Sequence, residues 1–157
     1  MELLAKVITV SDGVHHGVRE DRSGVALDEQ LTAAGWRVVE RRVIPDGVES
    51  VASALIRATG SFSGLVVTTG GTGFGPRDCT PEATSSVLER VAPGLAEAMR
   101  NANPGPGRLS RGVAGTRGTT LILNTPGSPK GCVECLGAVL EVLPHALSLM
   151  VGETTIH

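Results

Sequence analysis

Short apolar, β-branched runs alternate with stretches of helical period along this chain, and most runs close on a cluster of Gly, Asp, Ser, Thr or Pro. That alternation admits few folds. A strand, a helix and a returning strand form parallel pairs whose faces must be covered by the helices between them. Four runs read as strands: Leu4 to Val10 (LAKVITV), Trp36 to Ile44, Gly64 to Thr69 (GLVVTT) and Thr119 to Asn124 (TTLILN). The Gly64 run is the most apolar, and the Arg41-Arg42 pair suggests that the Trp36 run lies at an edge. Helical spacing spans Gly24 to Ala34, with Ser23 as cap and Gly35 as stop, and again residues 48 to 56. Thr80-Pro81 reads as a cap and first helical position, with the helix continuing through Val91. Further helices are expected over Pro93 to Asn101 and Gly131 to Leu143, the last ended or kinked by Pro144. Ser11 to Arg22 and Asn103 to Arg111 read as loops. The expectation is one α/β domain over residues 1–157 with a largely parallel sheet.

Composition narrows what such a domain can do. Only two Phe, one Trp and no Tyr are present, so Val, Leu, Ile and Ala must build the core. With net charge −2, no long basic run and almost no stacking residues, nucleic-acid binding is disfavoured. No apolar run has the length to span a bilayer, and the N-terminus lacks the pattern of a signal peptide. An odd count of three Cys suits a reducing compartment, so a cytoplasmic setting is expected.

In open parallel sheets ligands bind beyond the carboxyl ends of the strands. Four polar segments fall there: Ser11-Asp12-Gly13, Pro45-Asp46-Gly47, Thr69 to Asp78, and Thr125 to Lys130. The longest, Thr68-Thr69-Gly70-Gly71-Thr72-Gly73-Phe74-Gly75-Pro76-Arg77-Asp78, has the small residues that let successive backbone N–H groups converge on an anion. It has neither the Lys of a P-loop nor dinucleotide-fold Gly spacing, and a tight turn needing positive φ would look the same. Asp46 and Asp78 follow different strands and are placed to hold a divalent cation; a turn position and a helix cap are the plain alternatives. Lys130 could meet a phosphate. Cys132 and Cys135 have C-x-x-C spacing, but Cys135 falls in line with Leu136, Val139 and Leu143, which reads as an apolar helix face. His15 and His16 lack a third ligand and read as loop residues.

Taken together, Ser11-Asp12, Asp21-Arg22-Ser23-Gly24, Ile44-Pro45-Asp46, Thr68 to Gly73, Pro76-Arg77-Asp78, Thr80 to Ala83, Ser110-Arg111-Gly112 and Pro126 to Pro129 resemble, in order, the motifs of the MogA/MoaB family of molybdenum cofactor biosynthesis proteins. That family includes the adenylylating G domains of gephyrin-like proteins. The resemblance covers essentially the whole chain. It implies a three-layer α/β/α sandwich with a mostly parallel central sheet, a homotrimer, and adenylylation of molybdopterin by ATP with Mg²⁺ and release of pyrophosphate. By the same resemblance Asp46 and Asp78 are the catalytic, metal-holding residues. Ser11, Asp12, Asp21, Thr69, Gly70, Gly71, Thr72, Gly73, Ser110, Pro126, Gly127 and Ser128 are implied to bind substrate. The partners implied are molybdopterin, ATP and the downstream molybdenum-insertion protein. A non-catalytic pterin carrier and a nucleotide pyrophosphatase of related fold are the alternatives. Gly47, Cys79 and Thr125 depart from the family's usual residues, and none of these removes a proposed catalytic group.

Overall fold

The computed structural model of the chain describes residues 1–153. Its sheet has six strands in the order β2-β1-β3-β6-β5-β4. These are β1 (Leu4–Val10), β2 (Arg37–Ile44), β3 (Gly64–Thr69), β4 (Arg90–Val91), β5 (Ala114–Arg117) and β6 (Thr120–Thr125). The β2-β1-β3-β6 block is parallel, while β5 pairs antiparallel with β6 and β4 antiparallel with β5. All six residues of β3 are buried, because strands flank it on both sides and helices cover both faces. That placement explains its uncharged run, Gly64 to Val67 followed by the buried Thr68 and Thr69.

Successive side chains of the central strands alternate between two cores. Leu65, Val67, Leu121 and Leu123 pack on one face with Leu27 and Leu31 of α2 (Arg22–Ala33), Met99 of α5 (Pro93–Asn101) and Leu136 of α7 (Pro129–Gly137). Leu143 and Leu147 of α8 (Leu143–Met150) complete that layer. Val66, Ile122, Ile8 and Val10 pack on the other face against Val51 and Leu55 of α3 (Val48–Thr59) and Ala83 and Val87 of α4 (Thr80–Val87). The result is the three-layer α/β/α arrangement expected, with a mixed, mostly parallel sheet. Two helical turns, α1 (Asp12–His15) and α6 (Pro104–Gly107), lie inside segments that read as loops. Among the described residues no single helix is long and apolar enough to cross a membrane.

Several boundaries differ from the sequence reading, each for a local reason. The cap of α2 is Asp21, whose Oδ1 accepts the Gly24 N–H at 3.0 Å; Ser23 is instead buried inside the first turn. Thr80 lies inside α4 rather than capping it, and its hydroxyl donates to the Gly70 carbonyl at 2.9 Å. Helix α4 stops at Val87, and residues expected to extend it become β4. That strand and β5 (AGTR) carry no alternating pattern; β5 forms on the edge of β6, and β4 in turn on the edge of β5. Pro144 opens α8 instead of ending a helix, since proline fits the first turn, where no N–H is needed.

Candidate functional site

Strand order reverses between β1 and β3: the chain leaves β1 toward β2 on one side, and β3 and β6 lie on the other. A crevice opens at such a switch point beyond the strand ends. The loops after β1, β2, β3 and β6 all reach it. The β3 loop passes directly under its neighbours. Gly70 has φ +104° and a Cβ there would run into the Val10 carbonyl; Gly71 has φ +69° and a Cβ would strike the Thr80 hydroxyl. Only glycine fits this close approach in that backbone region.

Reciprocal hydrogen bonds join the β1 and β2 loops. The Asp12 N–H donates to Asp46 Oδ2 at 2.8 Å, and the Asp46 N–H donates to Asp12 Oδ1 at 3.1 Å. Arg77 then straps the β3 loop across both. It donates through Nε to Asp12 Oδ2 at 2.6 Å and through Nη2 to the Asp46 carbonyl at 2.9 Å. The Asp78 carboxylate is turned back into its own loop, where Oδ2 accepts the Gly75 N–H at 2.9 Å. Across the crevice Thr69 Oγ1 donates to the Pro126 carbonyl at 2.8 Å, fixing the β6 turn against β3. Ser128 Oγ caps α7 by accepting the Gly131 N–H at 2.9 Å.

Two clefts flank this ridge. One, of about 550 Å³, is walled by Gly71, Thr72, Gly73, Ser110 and Pro126 on the loop side and by Met99, Pro106 and Leu109 opposite, with Arg100, Lys130 and Glu134 at its borders. The other, of about 710 Å³, is polar, lined by Ser11, Asp12, Asp46, Thr69 and Gly70 together with Arg19 and Arg22. Gly71, Asp78, Gly127 and Ser128 line both. The candidate residues therefore converge on one ridge and its two sides. Asp21 stands apart. Its carboxylate caps α2, accepts the Thr9 hydroxyl at 2.8 Å and pairs with Arg41 at 2.9 Å, and it lines neither cleft. It holds the start of α2, from which Arg22 and Ser23 reach the polar cleft.

Charge is arranged unevenly along the ridge. Arg77 holds the Asp12 carboxyl below its ordinary range, mainly by hydrogen bonding. Partial burial pushes the Asp46 carboxyl up, and the neighbouring carboxylates of Asp12 and Asp78 add repulsion. Among the described residues Asp46 Oδ1 and Asp78 Oδ1 accept no hydrogen bond from the protein. No group of three His, Cys, Asp or Glu side chains among those residues forms a ready-made metal cage. The donor set suits Mg²⁺, which is commonly held by one or two carboxylates together with substrate phosphates.

Residues 6–145 match the family described as "Probable molybdopterin binding domain". The chain belongs to this family. Among its relatives is the molybdopterin adenylyltransferase of Helicobacter pylori (strain J99), 39% identical over 93% of this chain and 86% of that protein. The molybdopterin adenylyltransferase of Escherichia coli K12 is 40% identical over 86% of this chain and 72% of its own length. The crystal structure of the molybdopterin biosynthesis enzyme MoaB from Thermus thermophilus superposes with a TM-score of 0.89 at 46% identity, covering 96% of this chain and 97% of that one. The shared fold agrees with the three layers described above.

Sequence reasoning missed the apolar wall of the first cleft. Met99 sits on the buried face of α5, and Pro106 and Leu109 come from a Gly/Pro-rich segment with no periodicity. Arg19 also carried no signal beyond its charge, and Arg22 stood only as part of the Asp21-Arg22-Ser23-Gly24 motif, with no role of its own. Of the C-x-x-C pair, Cys132 is fully buried and burial pushes its thiol up to about 11, whereas Cys135, which the helical register placed on the apolar face, is only half-buried and lines the first cleft.

Proposed function

We propose that this chain is a molybdopterin adenylyltransferase of molybdenum cofactor biosynthesis, transferring AMP from ATP to the terminal phosphate of molybdopterin. The observation that carries the reading is the shared ridge: two ligand-sized clefts meet at Gly71, Asp78, Gly127 and Ser128. A transfer between two phosphorylated substrates needs two binding sites whose phosphates meet, and two clefts that share a border support that reading. A phosphate oxygen of molybdopterin attacks the α-phosphorus of ATP, a new P–O–P bond forms, and the Pα–O–Pβ bond breaks to release pyrophosphate. Attack by a phosphate needs alignment and charge neutralisation more than a strong base.

The residues divide that work. The β3 loop supplies small residues and backbone N–H groups at the ridge, and the adjacent helix ends add positive potential. Ser11, Asp12 and Thr69 shape the polar cleft; Thr72, Gly73, Ser110 and Pro126 shape the other. Asp46 and Asp78 would hold Mg²⁺, which supplies charge neutralisation on the phosphates when bound. The protein works as a homotrimer in a reducing cytoplasm, in keeping with its three free thiols, and hands its product to the molybdenum-insertion protein.

Incubation with molybdopterin, ATP and Mg²⁺ should release pyrophosphate one-for-one with adenylylated pterin. Pterin binding without pyrophosphate would make the chain a carrier, and nucleotide cleavage without pterin would make it a hydrolase. Asp78→Asn should cut turnover far more than the ~10-fold that about 1.4 kcal/mol of barrier represents, while pterin still binds.

A further inference from the structure

Arg111 lines neither cleft, yet it grips the β3 loop from behind at several points. Its backbone N–H donates to the Thr72 carbonyl at 2.9 Å. Its Nε donates to the Gly73 carbonyl at 2.8 Å and its Nη2 to the Asp78 carbonyl at 2.7 Å. The remaining nitrogen, Nη1, pairs with the Glu82 carboxylate on α4, and the guanidinium lies 5.8 Å from the centre of the exposed Phe74 ring. One planar fork therefore holds the loop where it leaves the ridge and where it returns. Lysine has no equivalent, since a single ammonium cannot span two carbonyls and a carboxylate in one plane.

The consequence falls on Asp78. The loop it closes is wrapped around that carboxylate: a Cβ on Gly73 or Gly75 would lie 3.0 or 2.8 Å from Oδ2. Holding the carbonyls of Gly73 and Asp78 fixes the backbone at both ends of this wrap. One carboxylate oxygen is then spent on the Gly75 N–H, and the other is left for the site. We infer that Arg111 is a positioning residue for the transfer reaction: it holds the glycine-rich loop closed so that Asp78 presents Oδ1 at the ridge between the two clefts. The inference rests on the adenylyl-transfer reading and deepens it.

The test compares wild type, Arg111→Lys and Arg111→Ala in the pyrophosphate-release assay, with pterin binding and thermal melting measured alongside. Arg111→Lys keeps the charge, so it should stay folded and bind pterin within about threefold of wild type, while kcat drops about a hundredfold, the effect of a roughly 1 Å misplacement. Millimolar methylguanidinium should restore part of kcat to Arg111→Ala without moving its melting temperature, and should leave wild type unchanged. A purely structural role would lower melting temperature and pterin binding along with turnover and would show no rescue, which would overturn the inference. So would a folded Arg111→Lys with kcat close to wild type. If wild type itself releases no pterin-dependent pyrophosphate, the transfer reading fails first, and the two failures are distinct.

Discussion

Removing the Asn124 side chain should unfold the site from below. Asn124 sits on β6, 2% exposed, directly under the crevice. Its Nδ2 donates to the hydroxyls of Thr68 on β3 and Thr84 on α4, both at 3.0 Å, and its Oδ1 accepts the Val113 N–H at 3.1 Å. One amide thus ties together two strands, a helix of the opposite layer and the segment that carries Ser110 and Arg111. In Asn124→Ala the Val113 N–H loses its side-chain acceptor, at about 1–3 kcal/mol for a donor left without a partner. Two hydroxyls at 0% exposure each lose a donated hydrogen bond, at about 0.5–1.5 kcal/mol apiece, and a small void adds to this. The expected loss is about 3–5 kcal/mol, or roughly 10 °C in melting temperature for a chain of this size. Urea denaturation at fixed protein concentration measures it, with the m-value checked for two-state behaviour. Turnover at a temperature where the variant is folded should also fall, because the segment carrying Ser110 and Arg111 loses one of its anchors, the Val113 N–H bond to Asn124 Oδ1. A loss below about 1 kcal/mol with an unchanged m-value would refute the reasoning, since the buried groups would have found other partners.

Other consequences follow from the same geometry. Because the folded state raises the Asp46 pKa, it binds that proton more tightly than the unfolded chain does, and stability falls as pH rises through the interval between the two values. Asp46→Asn should therefore melt higher than wild type at neutral pH, the gap should close in acid, and turnover should be lost; a variant that melts lower at neutral pH would contradict the assigned repulsion. Wild-type turnover should fall off on the acid side at a higher pH than an ordinary aspartate would give, read from a kcat/KM profile. Gly70→Ala forces a Cβ into the Val10 carbonyl at positive φ and should destabilise by ~2 kcal/mol or more in thermal or urea melts. Cys132 should resist alkylation at pH 8 until the protein unfolds, because its thiol is buried and stays protonated; mass spectrometry showing it modified as fast as the partly exposed Cys79 would contradict this.

The chain's own order settled a good deal. The four parallel strands and the helices between them are legible because period-2 and period-3.6 apolar patterns are local, and each strand end is marked by residues that tolerate turns. Asp46, Asp78 and the glycine-rich loop stood out because they follow different strands at the ends where parallel sheets bind ligands. What tertiary structure alone decided is less local. Strands β4 and β5 have no pattern of their own; β5 forms on the edge of β6 and β4 on the edge of β5. Asp21 and Asp12 sit in similar polar segments, yet one faces α2 and Arg41 while the other faces the cleft, a difference set by which partner each meets across the sheet. Arg111 lies 33 residues beyond Asp78, and nothing in its own neighbourhood marks it as the clamp of that loop. Long-range partners of this kind are chosen by how the layers stack, and a linear pattern carries no record of that choice.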